Sequence, residues 1–410
     1  MKNDIAWLTI RQSMVLNNNR SVFIVFLSAL IAFAPFSIDI YLASMPTIQQ
    51  DMHSTELQVQ LTLSLFFIGF ALGQLVWGAM SDRIGRKATI FVGIIVYMIG
   101  SLLCAFSHSI HALIIFRLIQ ALGACVGIVM ALAIVKDSFA NDNMEKVIGL
   151  LIAVAMLAPM IAPIVGSYLL VHFGWRSNFY ALFFYGLALL IALFFLTETH
   201  VKEQRKPLPI NILFAVYYEQ LQCKEFLVST LAASTNFGVL FAFIASSPFI
   251  YIDIYHVDAK LFGYFFAANA GTIILGNLSS GVLKRGLNEL TMIFVFLMLI
   301  LVGSIVMLVA INAFPGVVWS VVLPLLLISF SVGVLHPKLM SYPLLHVVNY
   351  TGVTSSLAGT IRFSLSAFVG FIVGLVIVNI AWPLAIIILL LNVATFILMK
   401  LYFSILHDKV

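Results

Sequence analysis

With 62% hydrophobic and only 9% charged positions in 410 residues, the chain departs from the roughly 25% charged residues of soluble domains, which excludes an ordinary soluble protein and points to a membrane protein. A net charge of +5 would suit nucleic acid or an acidic partner, but the basic residues sit at the ends of apolar runs, the pattern of a chain oriented in a bilayer. Cys104, Cys125 and Cys223 lie in or beside apolar runs and read as small buried hydrophobes, not as a disulfide framework or metal site.

At about 20 apolar residues per span, the length has room for roughly twelve. The first apolar run begins after Arg20 and is long enough to span, so it is expected to be a retained helix and not a cleavable signal. Six spans are expected to start near Ser21, Leu57, Ala88, Ala112, Glu145 and Asn178, and six more near Glu225, Leu261, Glu289, Gly316, Gly352 and Pro383. The longest polar stretch, Glu198 to Lys224, divides them. The expected organisation is an arm (1–20), a six-helix bundle (21–197), a linker (198–224), a second six-helix bundle (225–403) and a tail (404–410).

Taken in chain order, the first helix carries Pro35-Phe36-Ser37-Ile38-Asp39-Ile40-Tyr41-Leu42, followed by Met45-Pro46. Asp39 is the one carboxylate well inside an apolar span, and such a group is a functional candidate by default. It sits about 7 residues, ~10 Å, from one end of its helix. The second helix holds Gln60-Leu61-Thr62-Leu63-Ser64 and then Gly69, Gly73 and Gln74. Gly78-Ala79-Met80-Ser81-Asp82-Arg83-Ile84-Gly85-Arg86-Lys87 fills the short loop that follows. Its glycines permit a tight turn and close helix approach, and its charges could latch the two halves together in one state and release them in another. The fourth helix contains Arg117-Leu118-Ile119-Gln120-Ala121-Leu122-Gly123. Arg117 lies about 5 residues, ~8 Å, from the same side as Asp39, so an ion pair between them is expected, either functional or serving only to fix helix packing. In the fifth helix, Ala158-Pro159-Met160-Ile161-Ala162-Pro163-Ile164-Val165-Gly166 combines two helix-bending prolines with a glycine for close packing, which suits a gate or seal. Gly174-Trp175-Arg176 precedes the sixth.

The 21 Lys and Arg residues test this layout. With both termini inside, all but five fall on the cytoplasmic side: Lys2, Arg11, Arg20, Arg83, Arg86, Lys87, Lys136, Lys146, Lys202, Arg205, Lys206, Lys224, Lys284, Arg285, Lys400 and Lys409. Arg176 and Lys260 fall outside, while Arg117, Lys338 and Arg362 lie within or near the membrane. That asymmetry is what sets membrane orientation. An internal repeat supports the two halves: Gly73, Gly78 and Asp82-Arg83-Ile84-Gly85 recur as Gly276, Gly281 and Lys284-Arg285-Gly286, with the acid lost.

The loop string from Gly78 to Lys87 closely resembles the signature of the major facilitator superfamily. The motifs of helices one, two, four and five, with Gly174-Trp175-Arg176, are similar to those of its bicyclomycin-resistance (Bcr/CflA) drug/proton antiporters. Ser167 stands where a second glycine is common. The resemblance is specific over about the first 200 residues and looser beyond. It implies an all-α polytopic membrane protein of twelve transmembrane helices in two six-helix bundles, working as a monomer in the bacterial inner membrane. It further implies a proton-coupled exporter of a drug or small metabolite, with only the solute, protons and the lipid bilayer as partners, no nucleic acid and no cofactor. Asp39 would carry the coupling proton, and Arg117 would tune it or relay substrate binding. Gly78, Asp82, Arg83, Gly85, Arg86, Pro159, Pro163 and Gly166 would serve conformational gating.

Two positions depart from that pattern. In Gly333-Val334-Leu335-His336-Pro337-Lys338, relatives usually carry a neutral Asn at Lys338, and in Ser355 to Phe363 a neutral Gln at Arg362. Arg362 falls about ten residues, ~15 Å, into helix eleven, near mid-membrane. No acid in helices seven, eight, ten or eleven offers itself, and Glu289 lies only at the edge of helix nine. An anionic solute, such as a carboxylate-bearing siderophore or other metabolite, could supply the missing charge. A long pair with Asp39, hydration in the cavity and, for Lys338, snorkelling to the interface are the alternatives. Tyr41, Gln120, Asn236, Asn269, Asn277 and Tyr251 could line the cavity or simply join helices by hydrogen bonds. His108 and His111 have no third ligand nearby and read as solvated loop residues. Import of an anionic nutrient by symport or facilitated diffusion is the competing transport function. No nucleophile–base constellation, nucleotide-binding loop or filter-like segment supports an enzyme, a pump driven directly by ATP, or a channel.

Overall fold

A computed structural model describes residues 20–139, 141–200, 205, 209–283, 286, 288–345, 351–377 and 380–407. The arm over residues 1–19, most of the linker and the Lys284-Arg285 pair of the repeat lie outside these. Among the described residues there is no strand, and 12 helices are long and apolar enough to cross a membrane. They are α1 (Val22–Asp51), α2 (Glu56–Ile84), α3 (Arg86–Ala105), α4 (Ile110–Ser138), α5 (Lys146–Phe173), α6 (Arg176–Phe194), α7 (Lys224–Ile254), α8 (Ala259–Leu283), α9 (Glu289–Ala313), α10 (Trp319–Leu344), α11 (Gly352–Val376) and α12 (Trp382–His407). In lipid a helix satisfies its own backbone, so the length of each apolar run nearly dictates its element. Between α6 and α7 an additional helix, Ile210–Gln222, occupies part of what reads in sequence as polar linker. It packs on α7 and α11.

The packing repeats with a six-helix offset. α1 lies on α5 as α7 lies on α11, α2 on α4 as α8 on α10, and α3 on α6 as α9 on α12. The two sets meet along α2 with α11 and α5 with α8. The glycine repeat follows the same register. A Cβ at Gly73 would come 2.7 Å from Cys125 Cβ on α4, and one at Gly276 would come 2.1 Å from the Phe330 carbonyl on α10. Gly78 and Gly281 face open space. The first glycine of each pair therefore lets the same two helices of each half approach closely.

α1 and its counterpart α7 both depart from regular helix toward the same end of the molecule. The α-helix of α1 stops at Asp39, passes through a turn at Ile40 and Tyr41 and a 3₁₀ turn at Leu42–Ser44, and resumes over Met45–Asp51. α7 runs to Pro248 and finishes in a π-helical turn, Phe249–Ile254. The interruption of α1 frees backbone groups inside the membrane, as broken helices do where a membrane protein builds a site.

Candidate functional site

Two polar groupings face the question of function, one in each half. In the first, Arg117 is fully buried. Its Nη1 donates to the Ser37 carbonyl at 3.2 Å and to Gln120 Oε1 at 2.6 Å, while Gln120 Nε2 donates to Ser101 Oγ at 2.8 Å. The guanidinium is held between aromatic faces, 4.4 Å from the centroid of Tyr41 and 4.2 Å from that of Phe66. The Tyr41 hydroxyl hydrogen-bonds Thr62 Oγ1 on α2. Tyr41 and Gln120, expected among the solute contacts, thus take part in a packed network joining α1, α2, α3 and α4.

Asp39 is 3% exposed and its Oδ1 has no hydrogen-bond partner among the described residues. The expected ion pair with Arg117 is not among the contacts formed. Similar depth is not similar azimuth: Arg117 grips the backbone at Ser37, and a residue two positions on lies about 200° further round the helix. Arg117 therefore meets the backbone of α1 at Ser37 and not the carboxyl of Asp39. Replacing Arg117 by Lys should lower stability by about 1–3 kcal/mol, because an ammonium lacks the planar group that fills the space between the Tyr41 and Phe66 rings and sits less far out to reach the two acceptors of Nη1. Thermal denaturation in detergent measures this, and an unchanged midpoint would show that the stacked guanidinium plane is dispensable.

In the second half, Arg362 on α11 contacts Met340 Sδ and lies 5.5 Å from the Phe237 ring centroid and 4.9 Å from that of Phe363. Its neighbour Thr360 donates to the Ala71 carbonyl, midway along α2, which fixes this level as the middle of the bundle. Arg362 Nε is buried without a partner, and no carboxylate among the described residues pairs with its guanidinium. Lys338 differs: its Nζ lies 3.3 Å from Glu289 Oε1, to which the Tyr342 hydroxyl also donates at 2.5 Å. The acid at the edge of α9 is therefore within reach of the lysine stem. Asn269 accepts from Ser329 Oγ at 2.7 Å, a helix-packing bond between α8 and α10. Asn236 on α7 is 1% exposed, and neither its Oδ1 nor its Nδ2 is hydrogen-bonded among the described residues. Buried amides are rarely left so, and the exceptions call for a ligand, a water or a second state.

A cavity of about 650 Å³ lies between the halves, lined among others by Gln74, Asp82, Arg86, Thr230, Gly359 and Arg362. Of the residues singled out in sequence, Gly78, Asp82, Arg86 and Arg362 line it, whereas Asp39, Arg117, Asn236, Asn269 and Lys338 do not. At the other end the halves close on each other. Gln60 Nε2 donates to the Ala245 carbonyl across them, and a Cβ on Gly374 would meet Gln60 at 2.8 Å.

The loop between α2 and α3 frames the cavity's charged mouth. Gly85 has φ +98°, a conformation that L side chains rarely adopt. Arg86 bridges two acids, with Nη1 2.8 Å from Asp82 Oδ1 and Nε 2.9 Å from Asp137 Oδ2 on α4. Glu198 accepts from the backbone N–H groups of Arg86 at 3.0 Å and Lys87 at 3.2 Å, placing negative charge on the N-terminus of α3. Arg83 is exposed. This charge cluster ties α2, α3, α4 and the segment after α6 within the first half, and its ion pairs among the described residues do not cross to the second, so the latch between the halves expected from the sequence is not formed by them. Asp137 and Glu198 escape a motif-by-motif reading because they lie 51 and 112 residues from their common partner Arg86. Their only sequence signal is an acid beside a basic helix end.

α5 stays continuous through Pro159 and Pro163. A Cβ on Gly166 would fall 1.7 Å from the Ile40 carbonyl oxygen, and one on Gly263 of α8 would fall 2.9 Å from that of Pro163. Pro163 and Gly166 thus lie between the broken part of α1 and the opposite half.

A family model described as the Major Facilitator Superfamily matches residues 25–371. The chain is 32% identical over 367 residues to a bicyclomycin resistance protein homolog of Haemophilus influenzae, covering 88% of this chain and 91% of that one. It is 30% identical to the uncharacterized MFS-type transporter YdgK of Bacillus subtilis, over 85% and 87% of the two chains. Identity to the multidrug resistance protein MdtL of Salmonella heidelberg is 29%, over 62% and 64%. Among solved structures, the xylose transporter XylE from E. coli superposes with a TM-score of 0.71 over 92% of this chain and 97% of that one, at 12% identity, a likeness of fold alone.

Proposed function

The chain belongs to the Major Facilitator Superfamily and is a multi-pass membrane transporter, not an enzyme, and from that premise we propose that it is a proton-coupled antiporter exporting a small organic solute from the bacterial cytoplasm by alternating access. The observation that carries this reading is Asp39: a buried carboxyl with an unpartnered oxygen, placed where the helix of α1 breaks. Converting such an acid between neutral and charged forms changes the cost of burying it by on the order of several kcal/mol. Proton binding is thereby linked to whether the break is sealed or open.

The end carrying Arg86, Lys87, Lys136 and Lys224 faces the cytoplasm by the positive-inside rule, with Arg176 and Lys260 outside. On that orientation the cavity opens inward and the Gln60–Ala245 contact seals the outer side. Rocking of the halves along the α2–α11 and α5–α8 seams would reverse this. The relatives' names, bicyclomycin resistance and multidrug resistance, favour export. Arg362 would serve uptake of an anion equally well, which keeps symport as the competing direction.

The deciding experiment is solute-induced proton movement in proteoliposomes under an imposed pH gradient, with a panel of bicyclomycin, cationic drugs and carboxylate metabolites. Antiport predicts that at least one solute drives protons opposite to its own movement. Proton movement in the same direction would establish a symporter. No coupled proton movement with any transported solute would overturn proton coupling.

A further inference from the structure

The ionisable side chains of the cavity are unequally satisfied. Its lining carries Asp82, Asp137, Arg86, Lys136 and Arg362. Arg86 engages both acids, which leaves two cations without an acid of the cavity. Lys136 is exposed at the mouth, where water solvates it. Arg362 is half-buried: it lies at the level of the middle of α2, its Nε is buried without a partner, and around it stand a thioether, two phenyl rings and the nearby His336 imidazole, with no acid among them. The other intramembrane cation of this half, Lys338, has Glu289, and Asp39 makes no ion pair with Arg362 among the described residues.

A guanidinium at mid-membrane depth costs several kcal/mol unless it meets water, an acid or a ligand. The aromatic faces offset part of that cost but leave Nε without an acceptor, and a guanidinium's N–H groups match the two oxygens of a carboxylate in a planar fork. Toward the mouth the two acids, Asp82 and Asp137, are balanced by Arg86 and Lys136, so the field deep in the cavity is set by Arg362.

We propose that Arg362 is the anion-recognising residue of this cavity and that the transported solute is an organic carboxylate, its charged head on the guanidinium and its apolar body in the space between the halves. The inference names the solute class for the transport reading given above, and it is tested by binding alone, so it can fail while proton-coupled transport stands.

The test uses the detergent-purified full chain and isothermal titration calorimetry with three matched probes: 1-naphthoate, its amide 1-naphthamide, and 1-naphthylmethylamine. The readout is the ratio of naphthoate to naphthamide affinity within each protein. The parent is expected to prefer naphthoate by about tenfold or more, the scale of a charge-assisted hydrogen-bonded pair. It should not prefer the amine. Arg362→Gln should bring the ratio to about one, and Arg362→Lys should keep part of it. Met340→Glu, which puts an acid beside Arg362, should also abolish the preference while retaining the arginine, and it serves should the glutamine variant fold poorly. Equal binding of naphthoate and naphthamide by the parent, at any strength, would overturn the proposal. So would a preference that survives in the folded member or members of the Arg362→Gln and Met340→Glu pair.

Discussion

Replacing Asp39 by Asn should reduce solute-driven proton movement by about two orders of magnitude or more, the scale on which an essential proton-transfer group acts, while solute–solute counterflow continues. Asparagine keeps the size of aspartate and mimics its neutral form, so it leaves the break in α1 in place but removes the site at which a proton binds and leaves. If Asp39 is the carrier, the variant is locked in one protonation state. Counterflow, which needs no net proton movement, should survive because each reorientation takes place with solute bound. Proton movement measured with a pH-sensitive dye, beside exchange of labelled for unlabelled solute, separates the two. A variant that retains full proton coupling would show that Asp39 is not the carrier. One that loses both activities while keeping its thermal midpoint would assign the residue to the conformational change and not to the proton. Arg117 does not confuse this result, since it binds the Ser37 carbonyl and not the carboxyl.

The contrast between Asp39 and Lys338 shows what one sequence discloses in a membrane protein and what it withholds. Span positions are legible because bilayer thickness fixes the length of each apolar run: starts expected near Leu57, Ala88 and Gly352 stand beside helices beginning at Glu56, Arg86 and Gly352. The depth of Arg362 follows from the same arithmetic, and the Thr360 bond to Ala71 agrees with it. Azimuth and partner are another matter. Whether Arg117 meets Asp39 or the backbone of Ser37 depends on the rotation of α1 and α4 about their axes, and apolar residues on every side of an intramembrane helix give no pattern from which to read it. Lys338 and Glu289 are separated by a whole helix and loop, and only the packing of α9 on α10 brings them together. The break after Asp39 had a partial signal in Pro35 and Pro46 flanking it. The helix Ile210–Gln222 is rich in apolar residues but follows directly on the prolines and charges of 202–209, which mask it in the sequence.

The packing of α5 on that break makes Gly166→Ala the substitution with the largest expected structural effect. The added methyl would have to occupy a point 1.7 Å from the Ile40 carbonyl oxygen and 2.6 Å from its carbon. Both are backbone atoms, so no side-chain rotation relieves the overlap, and α1 and α5 must part by well over an ångström. Overpacking of this kind costs about 1–3 kcal/mol and sometimes more. Gly281→Ala provides the control, since its methyl meets nothing within 4 Å, and alanine in a helix is favoured over glycine by about 1 kcal/mol. Thermal denaturation should therefore show a fall for the first variant and no fall for the second. The functional consequence is separable from the stability loss, because Ile40 directly follows Asp39. Displacing its carbonyl moves the end of the helix on which the carboxyl sits. Transport by Gly166→Ala, measured well below its own melting transition, should fall by about tenfold or more, the loss that a roughly 1.4 kcal/mol change produces. If the variant instead melts and transports like the parent, the two helices are not held at this separation in the working protein, and Gly166 does not position Asp39.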